Sequence, residues 1–171
     1  MADSIPRNLT RPVHVGNVTI GGGAPVVVQS MTCTPTVDLG ATLEQVTKLA
    51  EAGCDVVRVS VPTKEALGSF RDICRESSVP IVADIHFDYR LALAAVDAGA
   101  DKIRINPGNI GDRDRIKAVA DKCKIAGVPI RIGVNSGSVE KELLAKFGGP
   151  TPEALAESAM KNARLLEQFD F

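Results

Sequence analysis

The sequence predicts a parallel α/β fold of the TIM-barrel type, an incomplete barrel of about five β/α units preceded by a β-hairpin. Three observations carry that expectation. Strand and helix signals alternate from residue 26 to residue 134, the pattern of parallel strands joined by helical crossovers. An Ala-Gly pair followed by a β-branched run with an arginine recurs at 52–60, 98–106 and 126–135, which reads each time as a helix end, a glycine cap and a buried strand. Polar residues stand at the C-terminal end of every expected strand, whereas an open doubly wound sheet gathers its ligands near one switch point. A barrel of this type has eight strands. The chain therefore reads as one domain, 1–171, forming the N-terminal portion of a truncated barrel.

Each element follows from local pattern. Residues 12–20 alternate about Gly16-Asn17 and predict a hairpin suited to plug a barrel bottom. Gly21-Gly22-Gly23 precedes a strand instead of following one, so it is not expected to be a nucleotide loop. The first barrel strand is expected over 26–30. Thr42-Leu43-Glu44-Gln45 has the capping-box pattern, and Leu43, Val46, Leu49 and Ala50 keep helical spacing up to Gly53. A strand over 55–60 follows, then a helix marked by Leu67, Phe70, Ile73 and Cys74, then a strand over 79–85. Asp88 is placed to cap a helix running through Leu91 and Ala95 to Gly99. The strand over 102–106 leads through Pro107-Gly108-Asn109 to a helix with Ile116, Val119, Ala120 and Cys123 on one side, and a strand over 129–134 comes next. A short helix is expected over 138–147. Past Gly148-Gly149-Pro150, Pro152 opens a longer one carrying Leu155, Ala159, Ala163 and Leu166.

Composition narrows the function. With 44% hydrophobic residues in 171, the chain can bury a sizeable core. Lys+Arg 20 against Asp+Glu 21 gives no general attraction for nucleic acid or an anionic membrane, so any anion recognition must be local. No apolar run nears the roughly 20 residues that span a bilayer. Met1-Ala2-Asp3-Ser4-Ile5-Pro6 lacks the apolar core of a secretory signal, and the expectation is a cytoplasmic protein. Cys33, Cys54, Cys74 and Cys123 form no C-x-x-C pair and no metal-ligand cluster with histidine. Cys54, Cys74 and Cys123 read as core residues, while Cys33 lies just past a strand end and could face a site.

Because side chains alternate along a strand, Arg58 shares a face with Ser60, Arg104 with Asn106, and Arg131 with Gly133 and Asn135. Gln29, Ser30, Met31, Asp84 and His86 join them at the strand ends. Guanidinium groups in a low-dielectric fold are costly unless paired, so three that converge ask for an anion. Against one carboxylate they leave an excess of about two charges, which suits a phosphate or diphosphate held by arginine forks. In the competing reading, each arginine is paired with its own structural carboxylate. Asp84 and His86 are the candidate catalytic residues, since either can handle protons near neutral pH. Equally, Asp84 can be an arginine's partner and His86 a loop residue. The turn over 133–138 has amides able to touch a phosphate.

Taken in order, Val28-Gln29-Ser30-Met31-Thr32, Val57-Arg58-Val59-Ser60, Ala83-Asp84-Ile85-His86-Phe87-Asp88, Lys102-Ile103-Arg104-Ile105-Asn106-Pro107-Gly108-Asn109 and Arg131-Ile132-Gly133-Val134-Asn135-Ser136-Gly137-Ser138 resemble successive signatures of the 4-hydroxy-3-methylbut-2-enyl diphosphate synthase family. The resemblance covers almost the whole chain. It implies an oxidoreductase of the non-mevalonate isoprenoid pathway, which reductively opens 2-C-methyl-D-erythritol 2,4-cyclodiphosphate to 4-hydroxy-3-methylbut-2-enyl diphosphate. It further implies a C-terminal domain whose 4Fe-4S cluster is held by three cysteines and a glutamate. A homodimer in which one subunit's cluster caps the other's barrel, and an electron donor such as flavodoxin or ferredoxin, are implied with it. By resemblance, Arg58, Arg104 and Arg131 grip the cyclic diphosphate, helped by Asp84, His86, Asn106 and Asn135. None of the four cysteines sits in the family's ligand segment. The cluster ligands and the iron-sulfur domain are therefore expected outside this chain, and the 171-residue chain alone is expected to be inactive. The competing expectations are another phosphate-ligand barrel of the pterin-synthase kind and a non-catalytic binding fragment.

Overall fold

A computed structural model describes residues 8–171, with Pro107 and Gly108 described by their backbone alone. The Met1-to-Pro6 stretch read above as no secretory signal lies outside the described residues. The hairpin forms as expected: β1 (Val13–Val15) and β2 (Val18–Ile20) pair antiparallel about Gly16 and Asn17. Five parallel strands then build one sheet, β3 (Gln29–Met31), β4 (Val56–Ser60), β5 (Ile81–Ile85), β6 (Lys102–Ile105) and β7 (Ile130–Ile132). Their spatial order is their chain order. With no reversal there is no switch point, so the doubly wound alternative is set aside and each β/α unit lies beside the previous one, as in a barrel.

The connecting helices are α1 (Leu39–Glu51), α2 (Ala66–Glu76), α3 (Tyr89–Asp97), α4 (Pro107–Ile110), α5 (Arg113–Ala126), α6 (Lys141–Phe147) and α7 (Pro152–Glu167). The repeated Ala-Gly phrase does what its composition suggests. Gly53, Gly99 and Gly127 take φ of 97°, 98° and 68°, a left-handed step that stops a helix and sends the chain directly into the next strand. The aspartate two residues after the glycine, present in the first two copies, adds a second function. Asp55 Oδ2 accepts from Val28 N and Asp101 Oδ2 from Ile81 N, both at 2.8 Å, so each carboxylate ties its own strand to the start of a neighbour.

Several expected boundaries move. The first barrel strand lies at 29–31, not 26–30, because the ladder with β4 begins only where Val28 O receives Asp55 N and Val56 N. The cap of α1 is Asp38, whose carboxylate accepts from Ala41 N; Thr42 is fully buried inside the helix and bonds Thr34 Oγ1, while Gln45 Oε1 holds the amides of Cys33 and Thr34. The Pro107-Gly108-Asn109 segment is itself a helical turn. The helix expected over 138–147 divides into a 3-10 turn at Ser136–Ser138 and α6. On α7 the fully covered stripe is Ala154, Ser158, Asn162 and Leu166, one residue around from the expected Leu155, Ala159 and Ala163. That stripe tolerates polar residues because Asn162 Nδ2 donates to Glu140 Oε1 and to Ser158 O.

The sheet has two chemically opposite faces. Val57, Val59, Ile81, Ala83, Ile85, Ile103 and Ile105 are fully buried under the helices, against Phe70, Ile73, Ala92, Ala95, Val119 and Cys123. Each such valine, isoleucine or phenylalanine contributes about 1.5–3 kcal/mol of apolar burial. The alternate residues line the other face. At its lower end Val56 and Val82 pack on Val15 of the hairpin, which plugs that end. Higher up, Lys102 Nζ of β6 donates to Gln29 Oε1 of β3 at 2.9 Å, with two strands between them. In a flat sheet those strands would stand roughly 14 Å apart, with side chains perpendicular to the plane. The bond is a chord across a curled sheet, and the face it crosses is concave.

Candidate functional site

The parallel register lines up the concave-face residues in rows. Met31, Arg58, Val82 and Lys102 form one; Ser60, Asp84, Arg104 and Arg131 form the next toward the C-terminal edge. The expected shared face of Arg58, Arg104 and Arg131 is therefore present, and the curl turns it inward. Four cations on these strands, Arg58, Lys102, Arg104 and Arg131, accompany one carboxylate, Asp84.

Asp84 is the hub. It is 2% exposed, and its Oδ1 accepts from Arg104 Nη1 at 2.9 Å while Oδ2 lies 3.3 Å from Arg58 Nε and 3.4 Å from His86 Nε2. The alternative in which Asp84 serves as an arginine's partner thus holds for two arginines at once. One negative charge shared by two guanidiniums leaves both with capacity for a further anion. Arg58 also places Nη2 2.9 Å from Met31 Sδ, a weak acceptor. The Nε atoms of Arg58 and Arg104 are buried donors without a hydrogen-bond partner. His86 is about half exposed, at the open edge, with its ring edge-on to Phe87.

The other expected site residues divide. Arg131, on the edge strand, is exposed in the same row as Arg104. Asn106 is buried just past β6, and its carbonyl receives Asn109 N and Ile110 N, so its backbone starts the α4 turn. Asn135 is exposed and caps the following 3-10 turn, its Oδ1 accepting from Gly137 N and Ser138 Oγ. The rim beside Ser60 is fixed by the β3–α1 loop, where Thr36 Oγ1 donates to Ser60 O at 2.6 Å.

Two residues outside the expected binding set, Lys102 and Gly133, also shape the site. Lys102, two positions before Arg104, has the same parity and so faces inward with it; that spacing was the available signal. Burial lowers its ammonium pKa below the ordinary value, and the charges of Arg131 and Arg58 push the same way. Gly133 is expected to share the face of Arg131 and to open the turn over 133–138, but its contact with Arg104 has no local signal, because it depends on a neighbouring strand. A Cβ there would come within 2.6 Å of Arg104 Cζ, so the bare backbone is what lets that guanidinium lie across β7.

The cysteines stay outside this constellation. Burial drives Cys123 up to about 12, and burial reinforced by Asp101 does the same for Cys74, which makes both poor nucleophiles and poor ligands. Cys33 is exposed and accepts from Gln45 Nε2. Among the described residues no group of three or more His, Cys, Asp or Glu is placed to hold a metal ion, and no helix is long and apolar enough to cross a membrane. A cleft of about 420 Å³ lined by Phe87, Asp88, Tyr89, Arg90 and Arg115 opens where β5 passes into α3, next to His86.

Comparison with known proteins matches residues 10–171 to the GcpE TIM-barrel domain. A protein of Natranaerobius thermophilus is 57% identical over 165 residues, covering 96% of this chain and 46% of its own length. One of Chromohalobacter salexigens is 55% identical over 171 residues, covering 100% and 46%, and one of Idiomarina loihiensis 58% over 167 residues, covering 98% and 45%. All three are named 4-hydroxy-3-methylbut-2-en-1-yl diphosphate synthase (flavodoxin). The chain spans about half the length of these curated relatives. Among solved structures, dihydropteroate synthase of Yersinia pestis superposes with a TM-score of 0.60 at 12% identity, over 90% of this chain and 58% of that one. The Xanthomonas albilineans enzyme gives 0.60 at 17%, over 91% and 60%. At those identities the likeness is one of fold.

Proposed function

We propose, from the premise that this chain belongs to the GcpE TIM-barrel domain family, that it is the substrate-binding part of an enzyme that reductively converts 2-C-methyl-D-erythritol 2,4-cyclodiphosphate to 4-hydroxy-3-methylbut-2-enyl diphosphate. The observation that carries this reading is the Arg58–Asp84–Arg104 cluster on a concave face that also bears Arg131, with one carboxylate for the group. Arg104 Nε is a buried donor with no hydrogen bond, Arg58 Nε is ion-paired with Asp84 but makes no hydrogen bond, and Arg131 stands on the edge strand in the same row as Arg104. A diphosphate supplies the acceptors these forks require. A pterin-synthase-like activity is set aside, since the solved dihydropteroate synthases share the fold at 12–17% identity whereas the synthases named above share over half the sequence.

Opening a cyclic diphosphate frees a phosphate oxygen that gains negative charge. Cations already fixed by Asp84 stabilise that charge without rearranging, which is how preorganised groups lower a barrier. Asp84 therefore acts by orienting the arginines, and His86, half exposed at the rim, is the residue available to move a proton. Asn106 and Asn135 lie at the rim as supporting contacts, the first buried and the second fixed by its turn. In this reading a bound 4Fe-4S cluster would relay electrons from the external donor to the substrate. Its ligands are proposed to lie in the part of the full-length protein outside this chain; among the described residues no group of three or more His, Cys, Asp or Glu is placed to hold a metal ion. Flavodoxin, which the relatives' name carries, or ferredoxin is the electron donor. A cytoplasmic homodimer, with the partner's cluster over the barrel mouth, completes the proposal.

The test is calorimetric titration of the full-length protein with the cyclic diphosphate. Replacement of Arg58, Arg104 or Arg131 by alanine is expected to weaken binding by about 1.5–3 kcal/mol each, the scale of hydrogen bonds to charged groups. Unchanged affinity in all three variants would remove the assignment.

A further inference from the structure

The concave face holds one charge that the proposed grip leaves unused. Lys102 is 7% exposed, and its hydrogen-bond partner is the neutral amide of Gln29. The groups that face it are Gln29 from β3, Arg58 from β4, Asp84 from β5, Arg104 of its own strand and Arg131 from β7. Asp84 is the one acid among them, and Arg58 and Arg104 already occupy it. An ammonium buried without a counter-ion costs free energy, and its field falls on the nearest cations. The charges of Arg131 and Arg58 in turn lower the Lys102 pKa, after the larger effect of burial. Lys102 stands level with Arg58 and one row below Arg131, and its bond to Gln29, one row nearer the plugged end, draws the ammonium that way, so like-charge repulsion biases both guanidiniums toward the open edge.

We propose that Lys102 is a positioning residue of the anion site: anchored on Gln29, its ammonium directs the Arg58 and Arg131 forks toward the open edge and adds a fourth positive charge behind the bound diphosphate. The inference rests on the anion site proposed above. Lys102 acts through the arginines and through its field, and it makes no bond to the reacting atoms. Binding a multiply charged anion then relieves the repulsion around Lys102, so the ammonium holds its proton more tightly in the complex than in the free protein. Affinity must consequently fall as rising pH removes that proton, and must do so below the range of an ordinary lysine.

The experiment titrates inorganic diphosphate into the full-length protein as wild type, Lys102→Met and Lys102→Arg, from pH 7 to 10 and at two salt concentrations. Lys102→Met is expected to lose about tenfold in affinity at pH 7 and to show a shallower salt dependence, because one unit charge has left the field. Lys102→Arg is expected to keep affinity at pH 7 within about threefold, and to lack the alkaline fall seen in wild type because a guanidinium does not titrate there. If neither variant folds, wild type alone decides. Sulfate, whose charge is constant over this range, must then bind at pH 9.5 with net proton uptake, read from heats in buffers of different ionisation enthalpy. Wild type that binds diphosphate, with Lys102→Met equal to it in affinity and salt dependence, overturns the role of Lys102 alone, and so does sulfate binding without proton uptake. Wild type that binds no diphosphate overturns the anion site and this inference with it.

Discussion

At the scale of single residues, Asp84 and Gly133 set the site more than any arginine does. Asp84 neutralises two largely buried guanidiniums, and removing one partner of such a cluster leaves uncompensated charge. Asp84→Asn is expected to cost about 3–5 kcal/mol in urea denaturation. Added inorganic diphosphate should recover part of that loss in the variant, since it brings the missing negative charge to the same forks. A loss that diphosphate leaves untouched would argue against a common anion site. Gly133→Ala pushes a methyl group into the space Arg104 occupies. Its expected stability cost is that of overpacking, about 1–3 kcal/mol. The sharper readout is diphosphate affinity, which should drop because Arg104 must leave both β7 and Asp84. An alanine variant with native affinity would mean that the guanidinium has another resting place. The arginines were legible in the sequence because period-two spacing is local, whereas Gly133 and the double engagement of Asp84 depend on strands brought together by the fold.

At the scale of elements, the sequence was most legible where one local cause dominates. Asp88 and Pro152 start their helices as expected, and Ile116, Val119, Ala120 and Cys123 form the covered side of α5. Thr42 and Gln45 misled because a capping-box pattern inside a helix also suits side chains that reach inward to a loop, here the one carrying Cys33 and Thr34. The covered stripe of α7 departs from the hydrophobic pattern because hydrophobicity alone cannot foresee a buried Ser158 and Asn162 that have hydrogen-bond partners. Asp101 illustrates the energetic consequence of such burial. Burial raises its carboxyl above the ordinary value, opposed by the bond from Ile81 N. A folded-state pKa above the unfolded one means that ionisation penalises the native protein. This contribution to stability is therefore greatest below about pH 4, the unfolded aspartate range, and is lost as pH rises through the elevated folded value. Asp101→Asn keeps an acceptor for Ile81 N without the charge. Urea melts from pH 3.5 to 8 should show a flatter profile for the variant and stability at pH 7 no lower than wild type; parallel profiles would contradict the assignment.

At the scale of the whole molecule, the sheet ends, among the described residues, in two strands, β3 and β7, each with a neighbour on one side only. Unpaired strand edges recruit other chains. Sedimentation velocity of the 171-residue polypeptide is expected to show dimers or larger species in the micromolar range, and a strictly monomeric boundary would contradict that expectation. The barrel class was readable from alternation and from the even spread of polar strand ends, yet the curl was not, because it becomes visible only in the bond between Lys102 and Gln29. The opposition of the two sheet faces has a further consequence for how the gene can vary. Odd and even positions along β4, β5 and β6 answer to different chemistry, one oily and one ionic. Inserting or deleting a single codon inside any of these strands would exchange the two sets, driving a guanidinium under the helices and grease into the basin. Lengths within these strands are thus locked far more tightly than residue identities, and viable indels belong in the connecting loops.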